Sequence, residues 1–183
     1  MEEIKGFKAF NKDSTNRYGK PFEEGKTYRV DGDIVFGNYG NGYHMCTYLC
    51  DVFRYVDDTN GDVLIAEVTG RGKYRKMDDE YYGYYDMYSF EELTIDRFMS
   101  RDEVIELMLN SSTVQVKKFL ATSYLSDKEK IMFYSKFKND LDVIKNLLYY
   151  HFDCKDVFEL HDAECDLQIR LVKKNGQNNS KRC

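Results

Sequence analysis

Histidine and cysteine side chains recur together in this sequence at spacings that metal sites use. One group has two, six and three residues between successive members and consists of His151, Cys154, His161 and Cys165. Zn²⁺ is held in a tetrahedron by nitrogen and sulfur ligands, so this group is a candidate zinc site. Free cysteines are also commonly buried for packing alone, which explains Cys154 and Cys165 equally well. We expect packing, with no bound metal or cofactor.

The remaining histidine, His44, lies two residues before Cys46 and six before Cys50. We interpret His44 as a hydrogen-bonded structural residue rather than a catalytic group. The sequence contains no GxGxxG, P-loop, GxSxG or HExxH motif, and nothing marks two of its carboxylates as a general acid and base. The motifs therefore predict catalysis no more strongly than binding.

Acidic and tyrosine side chains are concentrated in residues 77–103, which read MDDEYYGYYDMYSFEELTIDRFMSRDE. Nine of these 27 residues are acidic, and only Arg97 and Arg101 oppose them. A rigid aromatic ring flanked by negative charge suits docking on a basic partner surface. The predicted contact residues are Asp78, Asp79, Glu80, Tyr81, Tyr82, Tyr84, Tyr85, Asp86, Tyr88, Glu91 and Glu92. The alternative is a solvated charged face, with some of the tyrosines on one side of a half-buried strand.

Length and composition are those of a globular protein. The 183 residues suffice for a hydrophobic core, and 42% of them are apolar. No run approaches the ~20 apolar residues of a membrane-spanning helix, and the first ten residues lack the features of a signal peptide. We therefore expect a cytoplasmic protein of a host cell, with five free thiols and no membrane contact. The net charge of −5 argues against general affinity for nucleic acid.

The secondary structure that must position these residues changes near residue 99. Residues 1–98 hold eleven of the twelve glycines, with turn-forming Asp and Asn clusters between short apolar runs, which favours strands. We predict strands at residues 7–10, 27–30, 34–36 and 63–69. Asn60-Gly61 predicts a hairpin turn, and residues 49–56 predict a short helix.

Beyond residue 99 the hydrophobic period becomes helical. Ser100 with Glu103, and Ser126 with Glu129, form capping boxes that open two helices.

A repeat connects the helical segments. Residues 113–120 and 140–147 superimpose at an offset of 27, with Val116 on Val143 and Leu120 on Leu147. This predicts a duplicated helical hairpin that packs on the β-rich part, since two copies are too few for a free-standing array.

The sequence as a whole predicts the α+β class. We expect a β-rich domain at residues 1–98 and a helical hairpin pair at residues 99–173. A late strand is expected at residues 165–171, and a disordered tail at residues 174–183.

A helix-turn-helix is another interpretation of residues 103–120. Residues 111–113 would then start a recognition helix that carries Lys117 and Lys118. The repeat explains the same residues more fully, so we expect little direct nucleic-acid binding. A DNA-binding or zinc-stabilised adaptor is the third functional hypothesis.

Several segments rich in glycine and aromatic residues together resemble an uncharacterised domain common in phage and prophage proteins. These segments are GFKAF at 6–10, GKTY at 25–28, GYHMC at 42–46, DVF at 51–53 and AEVTG at 66–70, with Tyr55. The resemblance covers residues 4–97. The family pattern has a proline between its cysteine and the Asp-Val pair, where this chain has Tyr48-Leu49-Cys50, so that loop is expected to differ.

The same layout is similar to the small β-rich core of the rifampin-type ADP-ribosyltransferases, which is an analogy of fold. It implies an NAD-dependent enzyme in which His44 contacts ribose or nicotinamide and Tyr55 stacks on the ligand. An acid such as Asp78 or Glu80 would assist. This enzyme is the alternative function.

The phage-like N-terminal part, the acidic tyrosine-rich run and the helical extension are together similar to small anti-CRISPR proteins that inhibit Cas9. Guide-bound Cas9 holds its nucleic acids in positively charged channels and reads a short adjacent motif with arginines. The resemblance implies a counter-defence protein encoded by a phage or mobile element. Its partner would be a host nucleic-acid-binding protein or ribonucleoprotein, such as Cas9 with guide RNA. We expect this binding function in preference to an enzyme.

Overall fold

The computed structural model describes residues 3–35, 40–56, 58, 60–77 and 86–152. The described residues form five strands, β1 (Ile4–Phe10), β2 (Thr27–Arg29), β3 (Tyr43–Cys46), β4 (Leu64–Lys76) and β5 (Met87–Met99). A short helix, α1 (Leu49–Val52), continues into a 3-10 turn at Phe53–Tyr55. Four further helices follow β5: α2 (Arg101–Leu109), α3 (Thr113–Leu120), α4 (Asp127–Phe137) and α5 (Leu141–His151). The predicted α+β class, with a β-rich part followed by helices, is confirmed.

The strands form one antiparallel sheet in the order β2-β5-β3-β1-β4, and β4 also pairs with β5. This extra pairing is possible because β4 and β5 are each 13 residues long. One edge of β5 pairs with β3 and then with β2, while its other edge pairs with β4. The sheet therefore closes on itself, and successive side chains alternate between the enclosed space and the outer face.

The closed sheet has its fewest backbone pairs between β1 and β3. β1 pairs with β4 from Ile4 to Phe10, whereas its ladder with β3 contains the single pair Phe7 and Cys46. Both strands lie wholly within the described residues, and no second pair joins them. Gly6 permits the close approach, since a Cβ atom added there would lie 2.3 Å from the Cys46 carbonyl oxygen.

Hydrophobic side chains form two clusters, one on each face of the sheet. The enclosed cluster consists of Phe10, Phe22, Tyr43, Met45, Ala66, Val68, Phe90, Leu93 and Ile95. The outer cluster joins Ile65 and Met99 of the strands to Phe119 and Phe133 of the helices. One core therefore crosses residue 99, where the sequence predicts a domain boundary. That division into domains stays a prediction, and the expected late strand at residues 165–171 and tail at residues 174–183 lie outside the described residues.

The predicted helix starts are confirmed. Ser100 and Ser126 each accept a hydrogen bond from the backbone N–H of the glutamate three residues later, and that glutamate bonds back to the serine N–H. A third capping box, which the sequence analysis missed, opens α3 at Ser112. None of the described helices is long and apolar enough to cross a membrane.

Two helices, α3 and α5, carry the residues of the 27-residue repeat. α3 and α5 pack against each other, and the equivalent residues Val116 and Val143 are both fully buried. The equivalent lysines differ, because Lys118 contacts the buried Asp51 of α1 whereas Lys145 is exposed.

Two predictions for the β-rich part are wrong. Ile34 and Val35 of the predicted strand at residues 34–36 lie in a loop, where Val35 is exposed and Ile34 is buried, and Phe36 lies outside the described residues. Gly61 has a left-handed backbone (φ +71°), but the chain enters β4 there from the 3-10 turn region and not from a hairpin partner. The long hairpin is formed by β4 and β5. β4 extends seven residues past the predicted strand end. In β5, the acidic residues made the alternation of buried and exposed positions hard to recognise from the sequence.

Candidate ligand-binding cleft

An open cleft of about 1270 Å³ lies where β1 and β3 separate. Residues 7–9 of β1 and all four residues of β3 line it, and loop residues within 16–22, 30–35, 40–42 and 54–56 complete its walls. The ends of β4 and β5 contribute residues 74–77 and Met87. Ligand-binding pockets commonly have volumes of roughly 300–1,000 Å³, so the cleft has room for a ligand as large as a dinucleotide.

The charged side chains that line this cleft are cationic. Among the described lining residues there is no Asp or Glu, and the cations are Lys8, Arg17, Lys20, Arg54, Arg75 and Lys76. Lys76 forms an ion pair with Asp86 at 2.6 Å. In the described part of the chain, no carboxylate lies at ion-pair distance from Lys8, Arg17, Lys20 or Arg75. A protein with a net charge of −5 thus places positive charge in one concave surface.

Lys8 and His44 occupy the gap between the two strands. The Lys8 Nζ atom donates a hydrogen bond to the His44 carbonyl oxygen at 2.7 Å, which links β1 to β3 past their single backbone pair. Burial, together with the charge of Arg17, lowers the pKa of Lys8 to about 8. Burial, followed by the charges of Lys8 and Arg17, lowers the pKa of His44 to about 4. Positive charge is therefore disfavoured at both groups, and a bound anion would relieve this repulsion.

Tyrosine rings stand beside the cationic groups of the cleft. The Arg17 guanidinium lies 4.7 Å from the ring centroid of Tyr18, whose side chain is largely exposed. Tyr74 packs against Phe90 with ring centroids 5.4 Å apart, yet keeps an exposed face. Tyr55, in the 3-10 turn, is also exposed. Flat rings next to cations suit ligands that combine a planar group with negative charge.

A family profile matches residues 4–106 of the chain, which is more than half of its length. The profile is that of a domain of unknown function, DUF7666. The chain belongs to this family. No curated protein and no solved structure matches the chain. The DUF7666 region contains every described strand, every described residue of the cleft lining and the first six residues of α2.

Two site residues predicted from sequence meet in this cleft of the DUF7666 domain. His44 and Tyr55, the predicted NAD contacts, both line it. The assisting acids considered in the sequence, Asp78 and Glu80, lie outside the described residues.

The predicted partner-binding residues fall into two groups. Asp78, Asp79, Glu80, Tyr81, Tyr82, Tyr84 and Tyr85 lie outside the described residues. The other four residues have contacts within the DUF7666 domain. Asp86 pairs with Lys76, which lowers the pKa of its carboxyl, and Glu91 and Glu92 both pair with Arg29. Tyr88 stacks on Phe90 at 5.8 Å. Their role in partner binding stays a prediction.

The histidine and cysteine groups show no shared ligand geometry in the described part of the chain, where no three His, Cys, Asp or Glu side chains surround a common point. Cys46 and Cys50 are buried free thiols, and burial raises the pKa of Cys50 to about 12. Nε2 of His151 lies 2.7 Å from the Leu120 carbonyl oxygen. The other three members of the candidate zinc group, Cys154, His161 and Cys165, lie outside the described residues.

The sequence analysis missed the cationic lining residues because they come from separate parts of the chain. One signal was present, since Lys8 interrupts the apolar strand sequence GFKAF. A lysine between a buried glycine and a buried phenylalanine on the same strand face needs a structural or functional reason.

Proposed function

We propose that the DUF7666 domain of this chain binds an anionic ligand of the nucleotide class in the cleft between β1 and β3. The observation that carries this proposal is the set of four cations, Lys8, Arg17, Lys20 and Arg75, without a carboxylate partner among the described residues. Like charges held together destabilise a fold unless something of opposite sign neutralises them. An anion bound there would do so.

The exposed tyrosines of the cleft indicate that the bound anion also carries a planar group. Phosphate groups interact with lysine and arginine, and planar bases stack on exposed aromatic rings and guanidinium groups. Tyr18, Tyr55 and Tyr74 supply exposed rings on the cleft wall, next to the cations. A nucleotide satisfies both kinds of contact, and a dinucleotide such as NAD matches the cleft in size.

Calorimetric titration tests the proposal. NAD, ADP, inorganic pyrophosphate and adenosine would each be titrated into the full chain at low and at physiological salt. We expect ADP and NAD to bind, adenosine to bind at least ~10-fold more weakly, and the affinity to fall as salt rises. Arg17→Gln and Lys20→Gln should each weaken ADP binding about 10-fold, which corresponds to about 1.4 kcal/mol.

Lys5→Gln is the matched control. Lys5 is an exposed lysine of the same strand as Lys8 but does not line the cleft, so its loss should leave ADP affinity unchanged. If no anion binds, or if Lys5→Gln weakens binding as much as Arg17→Gln does, the cleft is not the binding site.

NAD-dependent ADP-ribosyltransferase activity is the second candidate, and it is favoured by the joint placement of His44 and Tyr55 on the cleft wall. It predicts that the protein releases nicotinamide from NAD and that His44→Ala abolishes the release. Chromatography of NAD incubated with the protein measures this. Binding of NAD without any release would leave a binding domain and exclude the transferase.

For the acidic run we propose a protein-binding role in counter-defence, encoded by a phage or mobile element. Its support is the sequence of residues 78–85 and their position in the chain between β4 and β5. The strand ends that flank them are joined by a backbone hydrogen bond of 2.9 Å from Met77 N to Met87 O. A basic host partner, such as Cas9 with guide RNA, fits this charge.

Cleavage of target DNA by a Cas9–guide complex, titrated with the protein and followed by gel filtration, tests that role. We expect inhibition and co-elution. Replacing Asp78, Asp79 and Glu80 by lysine should weaken the complex without changing the melting temperature. Unchanged affinity would remove this segment from the interface, and absence of both inhibition and co-elution would exclude Cas9 as the partner.

A further inference from the structure

The three lysines that line the cleft have different surroundings. Lys76 forms an ion pair with Asp86, which raises its pKa. The Lys20 ammonium lies between 5.3 and 5.6 Å from the ring centroids of Phe22, Tyr28 and Tyr43, and these rings attract a positive charge. Lys8 has no ion pair among the described residues and has one aromatic ring nearby where Lys20 has three. Its described contacts are the His44 carbonyl oxygen at 2.7 Å and the Phe10 ring at 5.8 Å.

The position of Lys8 disfavours its ammonium form. The side chain is half-buried in the gap between β1 and β3, near the guanidinium of Arg17, and no described carboxylate neutralises it. The titratable groups that face it are Arg17, His44 and Cys46. Burial lowers the pKa of Lys8 to about 8, so at pH 7 about a tenth of this side chain is a free amine and the rest is ammonium.

A free amine in a ligand cleft is a nucleophile, and lysines in such surroundings form imines with carbonyl compounds. The hydrogen bond to the His44 carbonyl does not prevent this, because a neutral amine and a protonated imine both retain an N–H that can donate. The other cations of the cleft would hold an anionic group of the same ligand.

We propose that Lys8 is a reactive amine that forms an imine with an anionic aldehyde or ketone bound in the cleft. This inference rests on the proposed function in one respect, since the cleft must admit an anion. The ligand class is therefore a carbonyl compound that also carries a phosphate or carboxylate.

The reaction balances without an oxidant or reductant. The Lys8 nitrogen lone pair attacks the carbonyl carbon, and a proton moves from nitrogen to oxygen to give a carbinolamine. The carbinolamine oxygen then takes up a proton from solvent and leaves as water as the C–O bond breaks, and the nitrogen lone pair forms the C=N bond of a protonated imine. The protonated imine keeps one positive charge at the position of the original ammonium.

Pyridoxal 5′-phosphate is the probe, because it carries an aldehyde and a phosphate. The full chain would be incubated with it at pH 7.5 and reduced with borohydride, and each modified lysine would be quantified by peptide mass spectrometry. We expect Lys8 to be labelled at least about 10-fold faster than the exposed Lys5, because burial lowers the pKa of Lys8 to about 8 and so increases its free amine. Lys5 is an internal control within the unaltered protein, so the comparison does not depend on a variant that folds.

Labelling of two variants identifies the cause of the fast reaction at Lys8. Arg17→Gln should slow labelling of Lys8 by pyridoxal 5′-phosphate more than labelling by acetaldehyde, which is neutral, in the presence of cyanoborohydride. Both rates fall to some extent, because the charge of Arg17 also lowers the pKa of Lys8. Lys8→Gln should remove the fast-labelled peptide and leave the labelling of Lys5 unchanged.

The outcomes separate this inference from the proposed function. Equal labelling of Lys8 and Lys5 by both aldehydes overturns the reactive amine, and calorimetric binding of ADP in the same preparation would leave the nucleotide proposal standing. Selective labelling of Lys8 by acetaldehyde alone overturns the anionic carbonyl ligand, and absence of ADP binding would then remove the proposed function as well.

Discussion

Nζ of Lys118 in α3 lies 2.9 Å from Oδ1 of Asp51 in α1, and the Asp51 side chain has no exposed surface. Asp51 belongs to the DUF7666 region, whereas Lys118 belongs to the helices beyond it. The pair therefore links the closed sheet to the helical part by a charge that is hidden from water. A buried charge is tolerated when it has a partner and is costly without one.

Lys118→Met should destabilise the protein by about 3 kcal/mol, because it leaves the Asp51 carboxylate buried without this partner. Urea denaturation followed by circular dichroism measures the loss. Lys145→Met is the matched control, since Lys145 occupies the equivalent repeat position in α5 but is exposed, and it should change stability by less than about 0.5 kcal/mol. Equal effects of the two substitutions would show that the Asp51 contact contributes nothing specific.

The DUF7666 region alone, residues 1–106, should not fold cooperatively. Phe53 and Met99 share the outer hydrophobic cluster with Phe119 and Phe133, which such a fragment lacks. The removed helices would leave this apolar surface in water. Thermal unfolding monitored by near-ultraviolet circular dichroism should show a sharp transition for the full chain and none for the fragment. A sharp transition in the fragment would contradict the single shared core.

Stability should fall as the pH is lowered from about 6.5 to about 4. The pKa of His44 is lowered from its ordinary value of 6.5 to about 4, so in this interval the unfolded state binds a proton that the folded state does not. The contribution is complete above pH 6.5 and lost below pH 4, and it amounts to about 3 kcal/mol. Burial also lowers the pKa of His151, which acts in the same direction.

His44→Gln isolates the His44 contribution. Its stability curve should be flatter than that of the unaltered protein between pH 4 and 6.5, with the His151 contribution retained. Urea unfolding at each pH measures the slope. Identical slopes for the two proteins would show that His44 ionises equally in the folded and unfolded states.

Gly6→Ala should destabilise the sheet closure by about 1–3 kcal/mol. The new methyl group would lie 2.3 Å from the Cys46 carbonyl oxygen, which is backbone and cannot move without separating β1 from β3. Loss of protection from hydrogen exchange at Phe7 and Cys46 would report this separation directly. Lys5→Ala, at the neighbouring exposed position, should leave both amides protected.

Local features of the fold were predictable from the sequence. The capping boxes at Ser100 and Ser126 require only residues within one helical turn, and the burial of Val116 and Val143 follows from their equivalent places in the repeat. The capping boxes do not depend on distant partners, and the repeat indicates which positions of the two helices share a buried face. The change from strands to helices near residue 99 was predictable for the same reason.

Strand β5 was harder to predict, because the partners of its charged side chains and the burial of its apolar ones depend on residues far away in the sequence. Read alone, the acids of residues 86–92 suggest a solvated segment. In the fold, Glu91 and Glu92 both pair with Arg29, and Asp86 pairs with Lys76. Leu93 and Ile95 of the same strand lie in the enclosed core, where both are fully buried.

By itself the sequence determined the class of fold and the helix starts, while a ligand role for His44 and Tyr55 was implied only by an analogy of fold. Only the tertiary structure decided that these two residues share a cleft with Lys8, Arg17 and Arg75. The reason is that separate stretches of chain meet there because β5 pairs with both β3 and β4, so the sheet closes on itself. Charge in a cleft is set by which side chains are close in space, and the closure of the sheet brings these together.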